Sequence, residues 1–536
     1  MEIINQHTKA IMEECKVRAR DAGLKFDNES LEYIVTNRDL LELSPKAMIP
    51  TLYDYWVNDV EVLKGKGIYK LYPNNPYETV INSRPAISFY NDNNPDWLNI
   101  MIFYHVLGHI DFFQNNNLFE KTWTDDFVGQ ALADKRLIDS LRSEHGRWVD
   151  YIIEFSRGID NLVGYFDLLF KHNFPTEILP SDKVTFYFDF FLQEIAKVPE
   201  HEIFIDIERY NKLISEQGEV GEASFFSEIK IKYPEFQAKF EKQANIEFTS
   251  HVDILEYILE NSDFLNKDNN LWMKSVLNII RNTSLYFSPQ IRSKIINEGW
   301  ASYWHDELFR KDERIKGHEV GYSVINAGVT SINRIGLNPY AIGLRLIQHV
   351  EKLADKGRLN LQFQRLTNIE ERENFDKKTG KGKQAIFELR KNFSDFMLIN
   401  SFVDQDFVDE HNLFVVGKRL NEETERIEYY VKSRKAEDYK KMLLDSLIHP
   451  PRITVDESHS TEKNLYLIHH FENKQLYKDY ISDTLLGIEF LWGAQVQLET
   501  TEIFQSQHKD STGNFSFENR RVLYTMKDRK ISKKYI

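Results

Sequence analysis

The chain has 536 residues, with 68 Lys and Arg against 83 Asp and Glu, for a formal net charge of −15. That balance argues against nonspecific binding to nucleic acid or to an anionic membrane, both of which need a positive field. One cysteine, Cys15, excludes an intramolecular disulfide and a thiolate-rich metal site, so a metal here must be held by histidine and carboxylate.

The N-terminal stretch MEIINQHTKAIMEECKVRARDAG lacks the pattern of a secretory signal. No run of about 18 apolar residues marks a membrane span. A soluble cytoplasmic protein is expected. Residues 1–60 read as helical, with Met12, Val17, Leu24, Leu31, Ile34 and Val35 at loose helical spacing. Residues 70–96, rich in Asn and Pro, read as loop. Asn94-Pro95, Ser288-Pro289 and Asn338-Pro339 are predicted helix starts, each with an acceptor at N-cap and proline at the first helical position. Residues 130–200 and 201–270 read as further helices, and strands are expected to be scarce before about residue 360.

The pattern changes near residue 375. The polar stretch DKKTGKGKQ is a predicted linker. Beyond it, Leu413–Leu420 and Arg426–Arg434 read as strands joined by the turn-like NEETE. Ala436–His449 reads as helix, Arg452–Val455 and Asn464–Phe471 as strands, and Leu476–Trp492 as helix. Val496–Ile503 and Arg520–Met526 read as the last strands. The expected class is α+β: a mainly helical domain over 1–375, a linker over 376–390, and a smaller α+β domain over 391–536.

WLNIMIFYHVLGHIDFFQNNN carries His105 and His109. Four residues apart on a helix, they point the same way and can grip one ion. Leu98, Ile102, His105, His109 and Phe112 share one face, which predicts a buried seam. SPQIRSKIINEGWASYWHDELFR carries Glu298 and His305, seven residues apart and again on one face, with Ile291, Ile295, Ser302 and Phe309. Ile296, Trp300, Trp304 and Leu308 form an apolar opposite face, so Glu298 is an expected buried carboxylate, costly unless paired or metal-bound. Two His and one Glu make an ordinary zinc set with a fourth position open to water. His105, His109 and Glu298 are therefore the candidate ligands of a divalent metal, zinc by donor type. His305 is a fourth ligand or a proton shuttle, and Glu298 and His305 are the candidate catalytic residues. A buried His–Glu hydrogen-bond network without metal fits the same spacing.

The zinc-peptidase signature H-E-x-x-H has its general base after the first histidine, where this chain has Val106. Asp111 and Glu307 are poor replacements, since each lies two residues from a histidine and points elsewhere on its helix. GHEVGY near His318 has Tyr322 in place of a second histidine, and His318 reads as an exposed loop residue. Arg281, Arg292, Arg334, Asn338, Tyr340 and Arg345 are candidate anion binders over a helix N-terminus; the alternative is a cap at Asn338 and a structural ion pair at Arg345. No Gly-rich phosphate loop and no G-x-S-x-G elbow is present.

The stretches HVLGHIDFFQNN, INEGWASYWH, NPYAIGLRLI and LLGIEFLWGAQVQLET, in that order, resemble the SpoVR (stage V sporulation protein R) family over about residues 10–505. The resemblance implies a role in spore cortex or other cell-wall formation, or in stress physiology. It also implies a serine protein kinase and a von Willebrand-type-domain protein as partners. One departure is Asn326, in NAGV, where the family pattern has histidine. Together these readings give two expectations: a metal-dependent amidase or peptidase-like hydrolase, or a non-catalytic scaffold for the kinase with a structural metal or polar network.

Overall fold

In the computed structural model the described residues are 2–27, 29–36, 79–122, 127–163, 182–196, 198, 200–217, 219–244, 250–251, 253–333, 336–360, 363, 366–421, 426–448, 450–471, 474–509 and 515–536. The helical reading of 37–60, the loop reading of 70–78, most of the NEETE turn and Arg334 lie outside them. The class is α+β, with helices dominating the N-terminal part and strands the C-terminal part. Two compact units are present. The first comprises residues 1–164, 258–451 and 479–493; the second comprises 165–257, 452–478 and 494–536.

The stretch 376–390 falls inside the first unit. Its loop is tied back by Thr379 N–H to Asp355 O (2.7 Å) and Gly382 N–H to the Asp355 carboxylate (2.7 Å). The helix Gly382–Asn392 follows, with Ile386 and Leu389 buried. A polar, glycine-containing sequence looks like a linker, but here its backbone donors close on the end of a neighbouring helix.

Around the site, the first unit is built on three helices. The His helix, Asp96–Asn115, is buried almost all round from Leu98 to Phe113. The Glu helix is Lys294–Phe309, and a third helix, Pro339–Asp355, packs on it. Glycine sets how closely they approach. A Cβ on Gly108 would stand 2.8 Å from the Ala301 Cα, so the His and Glu helices meet nearly backbone to backbone. Close approach of this kind shortens the reach that a side chain on one helix needs to meet the other.

Only one of the three predicted proline starts holds. Asn338 caps the third helix, accepting from Tyr340 N–H (3.1 Å) and Ala341 N–H (3.5 Å), with Pro339 at the first position. The 96–115 helix starts one residue late, with Pro95 itself at N-cap. Pro289 lies within the helix Leu271–Arg292, and the chain breaks instead at Ser293. The Glu helix gets its N-terminal acceptors from a distant residue: the fully buried Asp395 carboxylate accepts from Ile295 N–H and Ile296 N–H, both at 2.9 Å. That satisfies the orphan donors of a first turn.

The N-terminal region is less helical than its spacing suggests. After the helix Gln6–Asp21, Ser30–Val35 is a strand paired in parallel with Ala86–Asn91. Glu2–Ile3 and Thr79–Ile81 complete that four-stranded sheet. Six-residue windows such as SLEYIV hold too few turns for helical and strand periods to separate.

The second unit has a core of Tyr187, Phe188, Phe191, Phe225 and Phe236 among its helices. It also has a six-stranded sheet in the order 530–535, 515–527, 495–509, 464–469, 453–456, 250–251. The edge strand Lys530–Tyr535 was not expected from KISKKY. It is exposed along its whole length, and its lysines are what an unpaired edge tolerates.

Candidate metal centre

His105, His109 and Glu298 meet where the His and Glu helices cross. One donor atom from each lies within 4.8 Å of the others. His105 Nε2 is 3.7 Å and His109 Nε2 is 3.5 Å from Glu298 Oε2. These distances are long for hydrogen bonds. They suit joint ligation, because donors at roughly 2.0–2.2 Å from a tetrahedral zinc stand about 3.3–3.5 Å apart. Both histidines are buried, at 3% and 4% exposure, and Glu298 is mostly covered. Glu298 Oε2 is buried and accepts no hydrogen bond among the described residues. A buried carboxylate oxygen in that position is costly unless a cation shares it.

The outer ring nitrogens are held from behind. His109 Nδ1 is 3.0 Å from Asn297 Oδ1. An amide oxygen only accepts, so Nδ1 carries the proton and Nε2 presents its lone pair to the centre. His105 Nδ1 is 2.9 Å from His305 Nδ1, and His305 Nε2 is 2.8 Å from Asn326 Oδ1. His305 thus stands behind His105, with its ring nitrogens on His105 and Asn326, and is not in the three-residue cluster. Asn326 in turn contacts His305 and the Asp306 carboxylate, and is not in the three-residue cluster. A cavity of about 330 Å³ opens beside this pair, with Met101, Ile102, His105, His305, Asn326 and Tyr340 in its wall. The Tyr340 ring stacks on His105, centroids 5.9 Å apart.

The remaining sequence candidates lie elsewhere. Asp111 is buried away from the ligands and accepts from Trp300 Nε1–H (2.8 Å) and Lys25 N–H (2.7 Å), with Arg390 beside it (3.3 Å). Burial pushes its carboxyl up to about 6, against the pull of Arg390. Glu307 pairs with Lys311 (3.0 Å). His318 is exposed and stacks on Trp97. Arg345 donates to the Thr330 and Ala341 carbonyls (2.8 and 3.0 Å), so it braces backbone. Arg281 and Arg292 sit on the 271–292 helix, outside the cavity wall. Asn297 and Asp395 were not among the sequence candidates. Asn297 adjoins Glu298, and its polar side chain on a buried helix was the available signal. Burial pushes the Asp395 carboxyl up to about 7, with the backbone N–H groups of Ile295, Ile296 and Lys294 opposing the rise and the Glu298 charge adding to it.

A sequence profile described as "SpoVR like protein" matches residues 4–449. The chain belongs to the SpoVR-like family. The matched region contains both helices of the centre and the NPYAIGLRLI motif; the tail motif LLGIEFLWGAQVQLET lies beyond it. This SpoVR-like chain is also 24% identical over 334 residues to "Uncharacterized protein YcgB" of Escherichia coli (strain K12). That alignment covers 60% of this chain and 59% of the relative, less than two thirds of its length. No solved structure matches. No helix among the described residues is long and apolar enough to cross a membrane.

Proposed function

We propose that this SpoVR-like protein is a metal-dependent hydrolase of amide bonds, with His105, His109 and Glu298 holding one zinc ion. The observation that carries this reading is the buried Glu298 Oε2, 3.5 and 3.7 Å from two imidazole nitrogens. Zinc bound by such a set supplies a Lewis acid and an acidified water. The residues do the rest. The carboxylate offsets cation charge, Asn297 orients His109, and the cavity beside His105 admits a ligand of limited size. With valine at 106 no carboxylate follows the first histidine, and His305 in the cavity wall has its ring nitrogens on His105 and Asn326, so it steadies His105 instead of taking up a proton. The family's association with spore cortex points to cell-wall peptides or their precursors as substrate.

Elemental analysis of the purified protein tests the metal. About one zinc per chain is expected, with loss in His105→Ala and Glu298→Gln. Wild-type protein that stays metal-free after reconstitution with zinc overturns the reading. Val106 favours a second role, a scaffold whose metal is structural. In that case Glu298→Gln loses metal and fold together, and the loaded protein releases no amine from peptide amides.

A further inference from the structure

We infer that Asn326, acting through His305, decides which ring nitrogen of His105 carries the proton and so keeps Nε2 open as a metal ligand. This rests on the proposed metal centre and adds a positioning residue two hydrogen bonds away from it. The chain of contacts starts at Asp306. Its carboxylate accepts from Arg310 Nε–H (2.8 Å) and from the Tyr322 hydroxyl. Asn326 Nδ2 lies 3.3 Å from the same oxygen. An ionised carboxylate only accepts, so the amide must turn its nitrogen to Asp306 and its oxygen to His305. His305 Nε2, 2.8 Å from that oxygen, therefore carries its proton. A neutral imidazole has one N–H, so His305 Nδ1 is an acceptor. His105 Nδ1, 2.9 Å away, must donate to it. The one ring proton of His105 is then spent on Nδ1, and the lone pair is left on Nε2, the nitrogen facing Glu298.

The two ligand imidazoles are thus set in the same tautomer by an asparagine oxygen. Asn297 acts on His109 directly, and Asn326 acts on His105 through one intervening ring. Reversing the Asn326 amide would set its oxygen against the Asp306 carboxylate oxygen and its Nδ2–H against His305 Nε2–H. The first pairs two acceptors and the second two donors, and polar groups left unmatched in this way are expensive. Asn326 reaches the metal ligands only through His305, which makes it a positioning residue.

The test is zinc affinity of the full chain, read by competition with a chromophoric chelator, in Asn326→Leu, His305→Phe and the double variant. Losing an outer partner of a metal-bound histidine typically weakens binding 10–100-fold, and that loss is expected in each single variant. Because Asn326 acts only through His305, the double variant is expected to bind no worse than His305→Phe alone. Unchanged affinity in Asn326→Leu, or losses that multiply in the double variant, overturns the inference. Nitrogen NMR of labelled histidines in zinc-free protein separates this from failure of the metal reading. His105 protonated on Nδ1 in the wild type, and mixed in Asn326→Leu, supports it even if no zinc binds; a wild-type mixture overturns it. Should Asn326→Leu lower the unfolding midpoint, the same spectra taken below that midpoint still decide.

Discussion

A Cβ placed on Gly299 would lie 2.2 Å from the carbonyl carbon of Gly343, and one on Gly343 would lie 2.0 Å from the Ile295 carbonyl oxygen. The Glu helix and the 339–355 helix therefore touch through bare backbone on the residue next to Glu298. Overpacking usually costs about 1–3 kcal/mol, and collision with backbone leaves no flexible side chain to give way. Gly343→Ala is expected to lower the unfolding free energy by at least that amount in denaturant titration. It should also weaken zinc binding, because the Glu helix must shift. A stable variant with unchanged affinity would show that the crossing is not needed.

Asn297 accepts from His109 Nδ1–H at 3.0 Å. Asn297→Leu keeps the branched shape and removes the acceptor. The expected result is a 10–100-fold loss of zinc affinity. Chelator competition measures it, and a change below about threefold would contradict the role assigned to Asn297.

Ligands that bind only the folded state stabilise it by mass action. At zinc 100-fold above its dissociation constant the gain is about 2.7 kcal/mol. Wild-type protein should thus melt at a higher temperature with zinc than with a chelator. Glu298→Gln should lose most of that difference, since an amide brings no negative charge to the cation. Calorimetry with and without chelator compares the two; an equal zinc-dependent shift in both proteins would contradict Glu298 as a ligand.

Asp312 gives a pH prediction away from the metal. Burial alone would raise its carboxyl, but hydrogen bonds from the Arg314 side chain and backbone and from the Tyr104 hydroxyl (2.7 Å) hold it at about 2. The native carboxyl thus titrates below its unfolded value of 3.8. Its stabilisation is complete above the unfolded value and is lost as pH falls from about 4 towards 2. Tyr104→Phe removes one donor, at a cost of about 1 kcal/mol near neutral pH. The loss should shrink in acid, as measured by denaturant unfolding across pH 2–7. A pH-independent loss would assign the effect to packing.

The candidate ligands were legible in the sequence because a helix repeats its face every three or four residues. His105 with His109, and Glu298 with His305, each declare a shared face, and apolar neighbours declare burial. Spacing does not say how far a side chain stands from an ion. His305 shares the face of Glu298 but meets His105 from behind. Asp395 was illegible for another reason, and Asn326 was marked only by the family resemblance, without its partners. Each satisfies a group on a different element, and nothing local marks the pairing. Pro289 misled because its missing N–H is compatible with a helix start, while here the helix breaks four residues later. The α+β class came from the late run of alternating residues. The edge strand 530–535 lacks that alternation and is held by backbone pairing with 515–527.

His109 and Asn297 are 188 residues apart in the chain, and His105 and His305 are 200 apart. During synthesis the first two candidate ligands leave the ribosome long before the third exists. A nascent chain shorter than about 300 residues holds only a bare histidine pair, so the full three-donor site forms only after the Glu helix has emerged and docked. Zinc uptake in a synthesis time course would then report the moment at which the two helices cross.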